Sequence, residues 1–210
     1  MNLKIHDINI ELHYSGAVFM KQMNTLIIAD VHLGKIEHFR KHGSAIPPIL
    51  SLKNYIELDR VINHFQPETL IFLGDLFHST KNSDWQRFTK WVKLHHHLKF
   101  RLVIGNHDVI SSREIENLGI ETSTEVYLQD FKLTHHPEVT EDYFNICGHI
   151  HPGFHLKGSA KQSLKLACFY HKPQQLILPA FGAFTGKFII SPQENEHVYA
   201  IAEQNVLKIL

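Results

Sequence analysis

Five short stretches place metal-binding side chains close together. They read "ADVH" (Asp30, His32), "LGDLFH" (Asp75, His78), "IGNHD" (Asn106, His107, Asp108), "LTHHP" (His135, His136) and "CGHIH" (His149, His151). Core packing does not require an amide, an imidazole and a carboxylate in succession after the apolar run Leu102–Ile104. Asp30 and His32 are spaced i, i+2, and so are His149 and His151. Alternate side chains of extended backbone point to one face, so each pair can reach one ion together. The pooled donors are carboxylates, imidazoles and a carboxamide, with no thiolate. Hard-to-borderline divalent ions such as Mn²⁺, Fe²⁺ or Zn²⁺ suit them, and a closed cysteine-based zinc site is excluded. Seven candidate ligands exceed the needs of one ion and can serve two if one carboxylate bridges. A lone D-x-H is a chance event and a lone buried histidine usually satisfies a core hydrogen bond. The inference rests on all five blocks together.

The blocks need elements to position them. "NTLIIAD" (24–30), "ETLIFLGD" (68–75) and "FRLVIGN" (100–106) are short, rich in Leu, Ile and Val, and end in small or polar residues. They read as strands buried on both faces. Between the first two, Leu52, Ile56, Val61, Ile62 and Phe65 fall near helical spacing, with Pro67 beyond the end. Between the next two, Trp85, Phe88, Trp91, Val92 and Leu98 share a side after a Ser83 cap. "SSREIENLG" offers Ser111 with Glu114 three residues on, and Gly119 as a stop. This alternation predicts right-handed crossovers and an α/β layered core, whose ligand site lies at the carboxyl ends of the strands. After about residue 123, short strands joined by brief turns predict a mostly antiparallel second half. No repeat, low-complexity stretch or linker interrupts the chain, and one domain over 1–210 is expected.

The 210 residues suffice for a sizeable core. With 43% apolar and 20% charged residues, the composition is that of a soluble globular protein. Zero formal net charge means that any nucleic-acid contact must come from a local patch. Cys147 and Cys168 lie in apolar runs and read as buried free thiols of a reducing compartment. No signal-peptide core or membrane span is visible, so a cytoplasmic protein is expected. The 18 histidines nearly match the 21 lysines and arginines, and need a reason.

The series D-x-H, G-D-x-x-H, G-N-H-D, H and G-H-x-H resembles the calcineurin-like metallophosphoesterase superfamily, from Asp30 to His151. The resemblance implies a four-layer α/β/β/α sandwich with two metal ions, Mn²⁺ foremost and Fe²⁺ or Zn²⁺ as alternatives. Carried over by position, one metal takes Asp30, His32 and His151, Asp75 bridges, and the other takes Asn106, His135 and His149. His135 is chosen because the family places its ligand one residue before x-P, with His136 the alternative. His107 becomes the non-ligand histidine beside the leaving group. "ADVHLGKIEHFRKHGSAIP", "GDLFHS" and "LPAFGAFTG" narrow the resemblance to the bacterial ligase-associated phosphoesterases, a group often labelled DNA-damage-response endonucleases.

The implied activity is hydrolysis of phosphodiesters, DNA among them, with a functional association with DNA ligase. Two ions roughly 3.5–4 Å apart would neutralise the phosphate and convert a bridging water to hydroxide near neutral pH. His107 would protonate the leaving oxygen. Asp108 would orient the His107 ring or merely hold the turn, while Gly105 would allow a sharp turn. Lys35, Arg40 and His78 are candidate substrate contacts, against solvated-loop or supporting roles. Lys157, Lys161, Lys165 and Lys172 could flank a nucleic-acid path, although an exposed hairpin face is the simpler reading. His95, His96 and His97 end a helix, where cations suit the dipole. Phe181 and Phe184 read as core or site-wall residues. The rival functions are an enzyme for small diesters or nucleotides and a noncatalytic metal-binding scaffold. Passive metal storage would place its histidines in clustered tails.

Overall fold

The computed structural model describes residues 1–78, 80–158 and 163–210, with the side chain of Pro48 excepted. Its centre is a seven-stranded sheet in chain order: β1 (Asn2–Ile5), β2 (Ile8–Leu12), β3 (Val18–Met20), β4 (Thr25–Ile28), β5 (Thr69–Leu73), β6 (Lys99–Val103) and β7 (Ile120–Ser123). β1 to β4 pair antiparallel; β4 to β7 pair parallel. The three predicted apolar runs are β4, β5 and β6. β1 to β3 precede these runs and were not among the expected elements. Ile8, Ile10 and Leu12 alternate inward on β2 with Asn9 outward, a period-2 signal that charged neighbours obscure.

Crossover helices α1 (Lys35–Lys41), α2 (Lys53–Phe65), α3 (Ser83–Leu94) and α4 (Ser112–Glu116) link the strands. A 3₁₀ turn, Pro48–Leu52, leads into α2. The buried face of α2 is Tyr55, Leu58, Val61 and Ile62, whereas Ile56, expected inside, is 56% exposed. Val61 and Ile62 face inward as predicted, and Tyr55 and Leu58 complete the stripe in place of Ile56. Phe88, Trp91 and Val92 bury α3 as expected. Its cap is Asn82 rather than Ser83, because Asn82 Oδ1 accepts from the Asp84 N–H at 2.9 Å. Ser111 does cap α4 by position, and its hydroxyl lies 3.0 Å from Glu114.

The second half forms a nine-stranded sheet: β8 (Glu125–Leu128), β9 (Phe131–Thr134), β10 (Phe144–Cys147), β11 (Pro152–Lys157), β12 (Ser163–Lys172), β13 (Gln175–Ile177), β14 (Phe188–Ile189), β15 (His197–Ala202) and β16 (Asn205–Lys208). The main path is β14-β11-β12-β13-β10-β9-β8, with β15 paired to β12 and β16 to β15. It is mixed: β10 pairs parallel with both β9 and β13. "VYLQDFKLTHH" is two strands, since Gln129 turns left-handed with φ +51°.

Alternation along the central strands separates two cores. Leu26, Ile28, Leu70 and Phe72 pack with the helices, while Ile27, Ile71, Leu73 and Val103 pack against Phe131, Phe144, Ile146 and Phe169 of the second sheet. A mixed α/β fold with two facing sheets is what the sequence implied. The fourth layer differs. Among the described residues no helix follows Glu116, and Ile190, from coil, joins Cys147, Cys168 and Val198 in a small cluster of their own. Both cysteines are buried and free, and burial raises their thiol pKa values. No described helix is long and apolar enough to cross a membrane.

At the end of β2, His13 is buried beside the His64 and Phe65 rings, with Nδ1 2.9 Å from Ser15 Oγ. Burial, with His64 adding, pushes its pKa down to about 4. An unfolded chain therefore takes up a proton here that the folded chain refuses, and stability falls as pH drops from about 6.5 to about 4. His13→Gln is expected to reduce that acid loss by about 2 kcal/mol, read from urea midpoints at pH 7 and pH 4.5.

Candidate metal centre

The loops after β4 and β5 run on side by side. Asp30 N–H donates to Gly74 O (3.3 Å), His32 N–H to Asp75 O (2.9 Å) and Leu33 N–H to Leu76 O (2.8 Å). This extends the parallel pairing past the strand ends and brings the two carboxylates to one place. Asp30 is 0% and Asp75 1% exposed. Asp30, His32, Asp75, His149 and His151 all have φ between +49° and +69°. The left-handed region costs a side-chain-bearing residue about 1–3 kcal/mol and clusters at functional sites. Asp and His tolerate it better than branched residues. No sequence signal marked these five strained positions.

Two glycines make the approach feasible. A Cβ on Gly74 (φ +75°) would collide with the His135 ring. A Cβ on Gly105 would collide with the backbone N and carboxylate of Asp75. Gly105 was expected to permit a sharp turn, yet it is absent from the positive-φ glycines. Its role is close approach.

The second sheet delivers the imidazoles. His135 Nδ1 lies 2.9 Å from Leu73 O, and a carbonyl can only accept, so Nδ1 carries the proton. In the neutral ring Nε2 then presents a lone pair. It faces Asn106 Oδ1 at 3.0 Å, His149 Nδ1 at 3.2 Å and Asp75 Oδ1 at 3.4 Å. Asp30 Oδ1 is buried without a hydrogen-bond partner, 3.2 Å from His151 Nε2, which is 3.5 Å from His32 Nε2. Burial, with Lys35 nearby, pushes His32 down to about 2, so its ring is neutral. Burial also lowers His149. Acceptors therefore face acceptors around two buried carboxylates. That arrangement is costly without a cation and fits one.

Ligand atoms converge in three overlapping groups: Asp30, His32 and His151; Asp30, Asp75 and His135; and His135, His136 and His149. The structure thus brings together all seven predicted ligands. His136, the alternative to His135, is exposed but also reaches the third group. Oxygen and nitrogen donors without sulfur suit a hard-to-borderline divalent ion.

The remaining candidates divide. His107 is exposed, its ring centroid 5.9 Å from His32 and 5.2 Å from His78, and its backbone N–H donates to Asp75 Oδ1 at 2.8 Å. His78 stands 5.5 Å from His32, with Nδ1 buried and unpartnered. Lys35 lines a slot with His32; burial lowers its pKa while Asp75 opposes the shift. Asp108 does not hold the His107 ring. Oδ2 accepts from Gly105 N–H (2.8 Å) and Oδ1 from Phe77 N–H (3.0 Å), so this carboxylate closes the turn and ties it to the loop after β5. Burial pushes it up to about 6 against the pull of those bonds. Arg40 is turned away, held by Glu37 at 2.9 and 3.1 Å on its own helix. Lys157 and Lys165 are exposed on the β11–β12 hairpin and Lys172 stands 3.9 Å from Glu196. Lys161, like Ser79 of "GDLFHS", lies outside the described residues. His95 lies at the C-terminus of α3, with Nδ1 3.0 Å from Trp91 O.

Two facing sheets, with acid and imidazole donors converging at the strand ends, define a metal-dependent phosphoesterase. The sequence matches the calcineurin-like phosphoesterase family over residues 23–179, and the chain belongs to that family. It is similar to the nuclease MPE of Pseudomonas putida, at 28% identity over 100% of this chain and 99% of that one, with a TM-score of 0.82. Weaker likenesses are to a protein of unknown function from Aquifex aeolicus (20% identity, 60% and 78% of the chains, TM-score 0.42) and to Yfce, a phosphoesterase from E. coli (13%, 87% and 95%, 0.42). Comparison with curated proteins finds no match.

Two variants test the geometry. Gly105→Ala, with no left-handed backbone to strain, pushes Asp75 out of place; it is expected to fold but to lose at least half of its bound metal, measured by elemental analysis after Mn²⁺ loading. Asp108→Asn can accept only one of the two N–H groups, and is expected to lose about 1–2 kcal/mol of stability in urea unfolding.

Proposed function

We propose that the chain is a dinuclear phosphodiesterase acting on nucleic acid, with Asp30, His32 and His151 on one cation, Asn106, His135 and His149 on the other, and Asp75 between them. The observation that carries this reading is the His135 Nε2 lone pair facing the Asp75 and Asn106 oxygens, beside the buried and unpartnered Asp30 Oδ1, with His107 left out of it. When bound, the two divalent cations would supply positive charge to the phosphoryl oxygens and activate water near neutral pH.

The chain's own groups do the rest. His107 stays exposed and outside the ligand groups, so its imidazole can give a proton to the departing oxygen. Such transfer contributes about 10²–10⁴-fold. Lys35, half-buried beside His32, offers an ammonium to the phosphate. His78, beside His107 and His32 in the loop after β5, is the other candidate contact. Asp108 keeps the Asn106–His107 turn at its height without touching substrate.

The likeness to a nuclease across the whole chain favours nucleic acid over small diesters. DNA as substrate, a repair role, a partnership with DNA ligase and a cytoplasmic location belong to the same reading. Products with ligatable 3′-hydroxyl and 5′-phosphate ends would support the partnership. Mn²⁺ is the proposed metal.

The test is one panel: Mn²⁺-loaded protein with single-stranded DNA, duplex DNA, RNA, cyclic nucleotides and a chromogenic diester. Cleavage of a nucleic acid and the chromogenic diester is expected; activity confined to cyclic nucleotides would overturn the nuclease reading. His107→Ala is expected to keep its metal while losing about 10²–10⁴-fold in rate on esters with poor leaving groups. Full rate on such a substrate would remove His107 from its role.

A further inference from the structure

The 180–187 loop is bound to the first metal block. Phe181 N–H donates to Ala29 O (3.0 Å) and Gly182 N–H to Asp30 O (3.1 Å). Asn54 bridges the two segments, donating to Val31 O at 2.9 Å and accepting from Ala183 N–H at 3.2 Å. A Cβ on Gly182 would lie 2.5 Å from Val31 O. The loop therefore stands as a fixed wall beside the Asp30, His32 and His151 group. On one side is the narrow slot of His32 and Lys35, with Phe184, 40% exposed, at its edge. On the other is a wider cleft of about 220 Å³ lined by His151, Tyr14, Ser15, Phe181, Thr185 and Lys187.

The wider cleft carries unused recognition groups. Tyr14 is half-buried with one side of its ring on the His13 ring, centroids 4.1 Å apart, and its hydroxyl makes no hydrogen bond among the described residues. Thr185 Oγ1 is buried without a partner. Lys187 is exposed and has no ion pair among the described residues. Ser15 is already engaged by His13. An aromatic ring, two hydroxyls without partners and an unpaired cation on a long flexible stem match a sugar and base followed by a phosphate. Aromatic faces stack any base, and ammonium groups track the backbone.

We propose that this cleft binds the nucleoside on one side of the scissile phosphodiester, with Lys187 meeting the next phosphate along the strand. The proposal deepens the nuclease reading and rests on it.

The experiment uses Mn²⁺-loaded full-length protein with three substrates: bis(p-nitrophenyl) phosphate, the dinucleotide d(TpT) and oligothymidylate. Tyr14→Leu is expected to lower the ratio of kcat/KM for d(TpT) to that for the chromogenic diester about tenfold, mainly through KM, and Thr185→Val severalfold. Lys187→Ala is expected to spare d(TpT), which has no second phosphate, and to weaken oligothymidylate. It should also reduce by about one the slope of log kcat/KM against log salt. Unchanged ratios in all three variants, or equal losses on every substrate, would overturn the subsite. Failure of the unmodified enzyme on both nucleotides, with the chromogenic diester still cleaved, would instead sink the nuclease reading beneath it.

Discussion

Two carboxylates, Asp30 and Asp75, are buried with fewer protons around them than their lone pairs require. Backbone N–H groups of His149 and His107 satisfy one oxygen of each. The Asn106 oxygen and the His135 Nε2 lone pair beside Asp75 are acceptors too. Removing charge from water is costly, and leaving it uncompensated costs more. Much of the molecule serves to hold this unfavourable arrangement in place. The paired strand ends, the five left-handed ligand positions and the glycines without room for a Cβ all press acceptors together. A fold that tolerates such strain at one point needs its two cores to pack well elsewhere, and the central strands are buried on both faces.

The same constraint explains what the sequence disclosed. Ligand identity and order were legible because metal chemistry restricts residue types and because parallel strands, buried on both faces, stand out as continuous apolar runs. Asp30-x-His32 and His149-x-His151 could be paired on the page, although both lie in turns of positive φ rather than in extended strand. Strain of that kind leaves no mark in composition. The first three strands were missed because Lys4, Asp7 and Glu11 interrupt an alternation that only Ile8, Ile10 and Leu12 make clear.

The groups around the centre were less legible for a simple reason: their roles depend on direction rather than type. Asp108 sits beside His107 in the chain, yet both of its oxygens turn back to the Gly105 and Phe77 amides. Arg40 follows the first block at a distance suited to phosphate, yet Glu37, one helical turn earlier, captures it. Asn54 offered no motif at all, although it ties the Val31 carbonyl to the 180–187 loop. Tyr14 and Lys187, far apart in sequence, share a cleft only because the β2–β3 turn and that loop meet beside His151.

The donors are split between the two sheets. Asp30, His32, Asp75 and Asn106 follow strands of the first, and His135, His149 and His151 follow strands of the second. A ribosome that has released only the first half has made a sheet with exposed acids and no complete ligand set. Hydrolytic competence must therefore arrive late in synthesis, once the imidazoles of the second sheet have docked.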